Sequence, residues 1–159
     1  MLARRPYSVA ELRRALQRKF PAHTGIEDAI ARLRGLGYLD DKKFAEQMAS
    51  SLARNRAYGR HRIRRELKAK LVDYRHIAPA VEQAFEESDE RELLNRTIER
   101  KVRTMKMPLT PRKWQSLCQS LLRRGFSSGD IMNALHSRKE LRPQSEELNQ
   151  ASLEEEERD

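Results

Sequence analysis

Residues 63–81 read Ile63-Arg64-Arg65-Glu66-Leu67-Lys68-Ala69-Lys70-Leu71-Val72-Asp73-Tyr74-Arg75-His76-Ile77-Ala78-Pro79-Ala80-Val81, and the spacing inside this stretch decides the fold. Ile63 and Leu67 lie four apart, Lys70 follows three later, and a seven-residue bridge leads to a second apolar pair, Ile77 and Val81. The same spacing occurs 51 residues upstream at Leu12, Leu16, Lys19, Ile26 and Ile30. It occurs again 54 residues downstream at Leu117, Leu121, Arg124, Ile131 and Leu135. Apolar pairs four apart are common in any helical sequence. A bridge of the same length in the same place three times marks an internal repeat.

Each copy reads as two helices and a turn, since residues four apart share one helical face. Ser8 is placed to cap the first helix, with Glu11 completing a capping box. Gly59 and Pro111 precede the corresponding helices of copies two and three. Two of the copies also have a leading helix. Its apolar face is Phe44, Met48 and Leu52 before copy two, and Leu94, Ile98 and Val102 before copy three. Asp40 or Asp41 caps the former and Asp89 the latter. The expected fold is therefore all-α: an elongated array of three tandem three-helix repeats, the first lacking its leading helix. The expected boundaries are 1–38, 39–87 and 88–142, followed by an acidic, disordered tail at 143–159.

Composition agrees. Hydrophobic residues make up 38% and charged residues 36%, too thin a supply for one large core but enough for small units that share interfaces. With six Gly and six Pro, turn signals are too few for a strand-rich fold. Net charge is +9, unevenly distributed. Residues 1–85 carry +10, residues 86–142 carry +5 and residues 143–159 carry −6. A body of +15 calls for an acidic partner, and nucleic acid is the commonest. No long apolar face accompanies the charge, so a membrane surface fits less well. The single Cys118 excludes an internal disulfide and suits a reducing compartment. With no apolar signal region or membrane span in the sequence, a cytoplasmic protein is expected.

The densest basic segment runs Arg54-Asn55-Arg56-Ala57-Tyr58-Gly59-Arg60-His61-Arg62-Ile63-Arg64-Arg65, and Lys68 and Lys70 extend it. Helical spacing puts Arg60, Arg64 and Lys68 on a face away from Ile63 and Leu67. Guanidinium forks suit phosphate oxygens and stack on bases. A plain solvated helix face would mix signs, yet Glu66 is the only acid between Arg54 and Lys70. Candidate nucleic-acid or filament contacts are thus Arg54, Arg56, Arg60, Arg62, Arg64, Arg65, Lys68 and Lys70, with the repeat anchors Lys19 and Arg124. Tyr58 either stacks on a base or packs the Arg-rich turn, and the two readings weigh equally.

Gly35-Leu36-Gly37 follows a helix rather than a strand and lacks the third glycine of a dinucleotide loop. It reads as a helix stop before an Asp cap, with Tyr38 and Phe44 packing the joint between units. Asp40 and Asp41 have no further carboxylates at ligand spacing. His23, His61, His76 and His136 are scattered, and Cys118 reads as core. Neither a metal site, a cofactor motif nor a catalytic constellation is recognisable, so binding is expected rather than catalysis.

Several ordered words then match a known family. Gly37-Tyr38-Leu39-Asp40-Asp41, Phe44-Ala45, Tyr58-Gly59, Ile63, Glu66-Leu67 and Lys70 resemble the RecX family of recombination regulators. So do Ser8 with Glu11-Leu12-Arg13 and Leu16, and Leu121-Leu122-Arg123-Arg124-Gly125-Phe126 in the third unit. The resemblance spans about residues 2–136 and implies an elongated array of three-helix repeats. It also implies a role in DNA repair and the SOS response. There the protein binds the RecA recombinase filament, lies along its groove and restrains ATP hydrolysis and strand exchange. Some members bind single- or double-stranded DNA directly. A monomer is expected. Ala57 and Leu71 depart from the pattern where glycine is usual, which implies a differently shaped turn after Lys70, and the acidic tail lies outside it. The alternatives are a general nucleic-acid-binding module without a recombinase partner, and a scaffold for another acidic protein.

Overall fold

A computed structural model describes residues 5–22, 24–86 and 89–143. The acidic tail from residue 144 and His23 lie outside the described residues. Among those described, all regular structure is helical. The α-helices are α1 (Val9–Lys19), α2 (Ile26–Gly35), α3 (Asp41–Arg56), α4 (Arg60–Ala69), α5 (Tyr74–Glu86), α6 (Glu90–Val102), α7 (Pro111–Arg123) and α8 (Ser128–His136). A short 3-10 turn, Lys139–Leu141, follows. The repeat anchors fall on α1–α2, α4–α5 and α7–α8, and α3 and α6 are the leading helices: a tandem helical-repeat fold.

The chain divides into two compact units. One comprises Met1–Arg56 and Arg62–Ser88, the other Ala57–His61 and Asp89–Asp159. In the first unit Leu12, Ile30 and Leu39 form a small core, with Tyr7, Val9, Leu16, Ile26 and Leu33 against it. Four of these eight are the apolar anchors of copy one. Leu16 and Ile26 are only half-buried, whereas all the aliphatic anchors of copies two and three are buried.

Helix α3 departs from the reading of its sequence. Phe44 is buried, but Met48 and Leu52 are only half-buried. The face turned inward is Ala45, Ala49 and Ala53, all exposed by 1% or less. This face packs along α5, which buries Ala80 and Ala84 beside Ile77, Val81 and Phe85. Small side chains let two helix backbones approach, so close packing selects the alanines over the larger Met48 and Leu52. Tyr38 is another correction: it is 69% exposed rather than packed in a joint, while Phe44 is buried as expected.

The helix ends follow their local chemistry. The Ser8 hydroxyl accepts from the Glu11 amide at 3.0 Å. The reciprocal half of the box is not made. Glu11 instead binds the charged heads of Arg5 and Lys70, each at 3.1 Å, because a charge-assisted bond is stronger than one to a neutral amide. Helix α2 stops in a Schellman turn, with Tyr38 N–H donating to the Leu33 carbonyl and Gly37 in the left-handed region at φ 75°. The two adjacent acids serve two helices: Asp40 accepts from the Lys43 amide at 3.0 Å, and Asp41 accepts from the Val9 amide at 2.8 Å. Asp89 caps α6 through the Arg91 amide at 2.8 Å.

The middle helix of copy two and that of copy three end alike. After α4, Leu71 is left-handed at φ 57°; after α7, Gly125 is left-handed at φ 90°. Leu71 therefore adopts the backbone that glycine favours, at a cost of about 1–2 kcal/mol for an L residue. The expected change of turn shape is absent. The residue before each, Lys70 or Arg124, offers its carbonyl to a donor distant in sequence. Lys70 receives the hydroxyl of Ser8, and Arg124 receives the amide of Gly59 at 2.8 Å.

In the second unit, Gly59 also lies against the Gly125 backbone, and the His61 amide donates to the Gly125 carbonyl at 3.1 Å. A Cβ on Gly59 would stand 2.5 Å from that carbonyl oxygen. Gly59→Ala is expected to destabilise the chain by about 2 kcal/mol or more, read as a lower urea midpoint. Nearby, Glu90 accepts from the Arg60 amide at 2.9 Å and pairs with its guanidinium at 2.8 Å. The Glu90 side chain is only 18% exposed, so removing its partner leaves a poorly hydrated charge. Arg60→Ala is expected to cost about 1–2 kcal/mol in the same measurement. Arg65→Ala, at an exposed site, should stay within about 0.5 kcal/mol of the parent.

Candidate nucleic-acid interface

The Arg-rich segment crosses the end of α3 and the length of α4, and the fold gives its cations different neighbours. Arg60 pairs with Glu90, as described. Arg62 pairs with Glu66 at 2.7 Å one helical turn on, and Arg64 reaches Glu82 of α5 at 3.4 Å. Lys70 is held by Glu11. The face defined by Arg60, Arg64 and Lys68 is therefore not uniformly open. Acids remote in sequence supply counter-charges that the local run lacks.

Arg54, Arg65 and Lys68 differ. All three are exposed, and none pairs with a carboxylate among the described residues. Arg56 is exposed at the end of α3. Tyr58 is half-buried, which favours packing of the turn over an open stacking platform. Lys19 is exposed at the end of α1, with its ammonium 5.4 Å from the Phe20 ring. The Arg124 guanidinium faces the Ala57 carbonyl at 3.5 Å. Lys19, Lys70 and Arg124 all stand at or just past the C-terminus of their helices, where positive charge complements the helix dipole. That position gives each anchor a structural reason to be basic.

The first unit also contains an open groove of about 820 Å3 beside the α2–α3 turn. Its lining mixes Arg13, Arg34, Lys42 and Arg75 with Asp40, Asp41 and Asp73. Arg75 neutralises Asp73 at 2.7 Å and holds its carboxyl below the usual carboxylate range. Such mixed sign does not suit a polyanion. Burial pushes the Cys118 thiol up, away from the thiolate form a nucleophile needs. Among the described residues, no three His, Cys, Asp or Glu are grouped to hold a metal, and no helix is long and apolar enough to cross a membrane.

One basic run escaped the sequence reading. From Arg100 to Gly129 the chain carries eight Lys and Arg and no Asp or Glu. Its cations are spread thinly over thirty residues, so their local density is lower than that of the segment at 54–65. The signal that could have found it is the absence of acid rather than the crowding of base.

Comparison with known proteins agrees with this architecture. Residues 40–81 match the RecX second three-helix domain, and residues 88–135 match the RecX third three-helix domain. A regulatory protein RecX from Chlorobaculum tepidum is 35% identical over 128 residues, covering 79% of this chain and 76% of that protein. One from Pelodictyon phaeoclathratiforme is 30% identical over 135 residues, covering 85% and 82%. The crystal structure of RecX from Lactobacillus salivarius superposes with a TM-score of 0.70 at 20% identity, covering 86% of this chain and 88% of that one. The fold, the two matched domains and these relatives together show that the chain belongs to the RecX family of regulatory proteins.

Proposed function

We propose that the protein binds the RecA recombinase filament on DNA and restrains its ATP hydrolysis and strand exchange, without catalytic activity of its own. The observation that carries this reading is the tandem repeat itself, combined with exposed cations that no carboxylate among the described residues neutralises. A partner that repeats suits a ligand built of repeats. Several weak contacts linked in one chain gain avidity when their spacing matches that of successive protomers. Held across protomers, the chain can obstruct entry of a second strand or favour loss of subunits. It acts as a monomer in the cytoplasm, with repeat boundaries near residues 39 and 88. Arg54, Arg65 and Lys68 are the cations best placed to engage an acidic groove or DNA phosphates, because Arg60, Arg64 and Lys70 already hold acids of the fold.

The direct test is ATP turnover by RecA on single-stranded DNA. Added protein is expected to lower turnover and shorten filament lifetime, and unchanged values for both would sink the proposal. A general nucleic-acid-binding module would instead bind naked and recombinase-coated strands equally, with steep salt dependence. At residue level, joint replacement of Arg54, Arg65 and Lys68 by Ala is expected to weaken inhibition about tenfold or more at unchanged melting temperature. Full inhibition by that variant would move the contact elsewhere.

A further inference from the structure

The turn after α4 holds a residue that the fold gives no reason to be large. Leu71 is left-handed at φ 57°, a backbone that strains any residue with a Cβ, and copy three has Gly125 at the same point. Leu71 is not spent in the core: it is 38% exposed. It lines the open groove of about 820 Å3 beside the α2–α3 turn, all of whose lining residues belong to the first unit. Strain that core packing does not offset points to a use for the side chain at the surface.

Other large apolar residues are exposed beside the same lining. Tyr38 stands between Gly37 and Leu39, which line the groove, and is 69% exposed; Leu36, before Gly37, is 62% exposed. Tyr74 stands between Asp73 and Arg75, which line it too, and is 85% exposed. One exposed apolar residue is ordinary, but four on or beside the lining of one groove mark a contact surface. The charges say which kind. Each carboxylate of the lining is engaged by the fold: Asp40 by the Lys43 amide, Asp41 by the Val9 amide and Asp73 by Arg75. Of the cations, Arg13 is held by Glu27 and Arg75 by Asp73, while Lys42 reaches Glu46 only at 4.0 Å. Arg34 is exposed and pairs with no carboxylate among the described residues. Three lining carboxylates repel a run of phosphates. Tyrosine and arginine together are instead the residues that anchor protein–protein contacts.

We propose that this groove docks a protein partner, taking a segment that sets a carboxylate beside an aliphatic or aromatic side chain. The carboxylate goes to the Arg34 guanidinium, whose planar fork takes both oxygens at once. The apolar side chain goes against Leu71, Tyr38 and Tyr74. Leucine at position 71 then has a reason that glycine would not meet: it adds apolar surface to the groove at the expense of backbone strain. The site rests on the function proposed above and deepens it, by naming where the first unit grips the recombinase protein rather than the DNA.

The experiment measures binding of the full chain to RecA-coated single-stranded DNA, beside fluorescence anisotropy on the same strand naked. The triple variant Tyr38→Ala, Leu71→Gly, Tyr74→Ala leaves every charge in place. It is expected to bind the coated strand at least about tenfold more weakly and the naked strand as the parent does. Leu71→Gly alone is expected to weaken coated-strand binding while its melting temperature holds or rises, because glycine relieves the left-handed backbone. Arg34→Ala should weaken coated-strand binding about tenfold as well. Parent-like binding of the triple variant to the coated strand overturns the site. Equal loss on naked and coated strands also overturns it and assigns the face to nucleic acid. A parent that self-associates in sedimentation, and a triple variant that does not, would overturn it in favour of a second copy. If the triple variant melts early, Tyr74→Ala alone decides, and parent-like coated-strand binding again overturns the proposal. A parent that ignores the coated strand sinks the filament reading and this site with it, which is a different result from a variant that binds as well as the parent.

Discussion

The last carbonyl of the middle helix in each complete repeat is the point on which the fold turns. A helix leaves its final carbonyls without partners inside the helix, and a buried one must find a donor elsewhere. In the first unit, the carbonyl of Lys70 takes the hydroxyl of fully buried Ser8. In the second unit, the carbonyl of Arg124 takes the amide of buried Gly59. Ser8 and Gly59 stand 51 residues apart, and Lys70 and Arg124 stand 54 apart: the offsets of the repeat itself. The same joint is made twice with different chemistry. Serine supplies a side-chain donor that also caps its own helix. Glycine supplies a backbone donor, and its missing Cβ lets two backbones touch.

This joint also explains the basic residue of copies two and three. Lys70 and Arg124 follow a helix and precede a left-handed residue, so each sits in the negative field of a helix end. Their side chains then add a second contact, Lys70 to Glu11 and Arg124 to the Ala57 carbonyl. The periodic charge is first a device for joining segments. The contacts proposed toward an outside partner are assigned instead to Arg54, Arg65 and Lys68, which pair with no carboxylate among the described residues.

Much of the architecture was legible because the forces that set it are local. The i, i+4 aliphatic pairs placed the helices, and Ser8, Asp40 and Asp89 cap the helices that follow them. The candidate site was less legible. A stretch with one acid among many arginines looked open, but Glu82, Glu90 and Glu11 fold onto it from 18, 30 and 59 residues away. Counting acids along the chain cannot reveal a partner supplied by another helix.

By itself, the sequence determined the all-helical class, the period, the caps at Ser8, Asp40 and Asp89 and the excess of positive charge, since each follows from spacing, propensity or composition. Tertiary structure decided which face of α3 is buried. There, close approach to α5 favoured Ala45, Ala49 and Ala53 over the larger Met48 and Leu52. It also decided which cations remain available. A charge is free or spent according to what packs beside it, and for this chain those neighbours come from distant turns of the repeat.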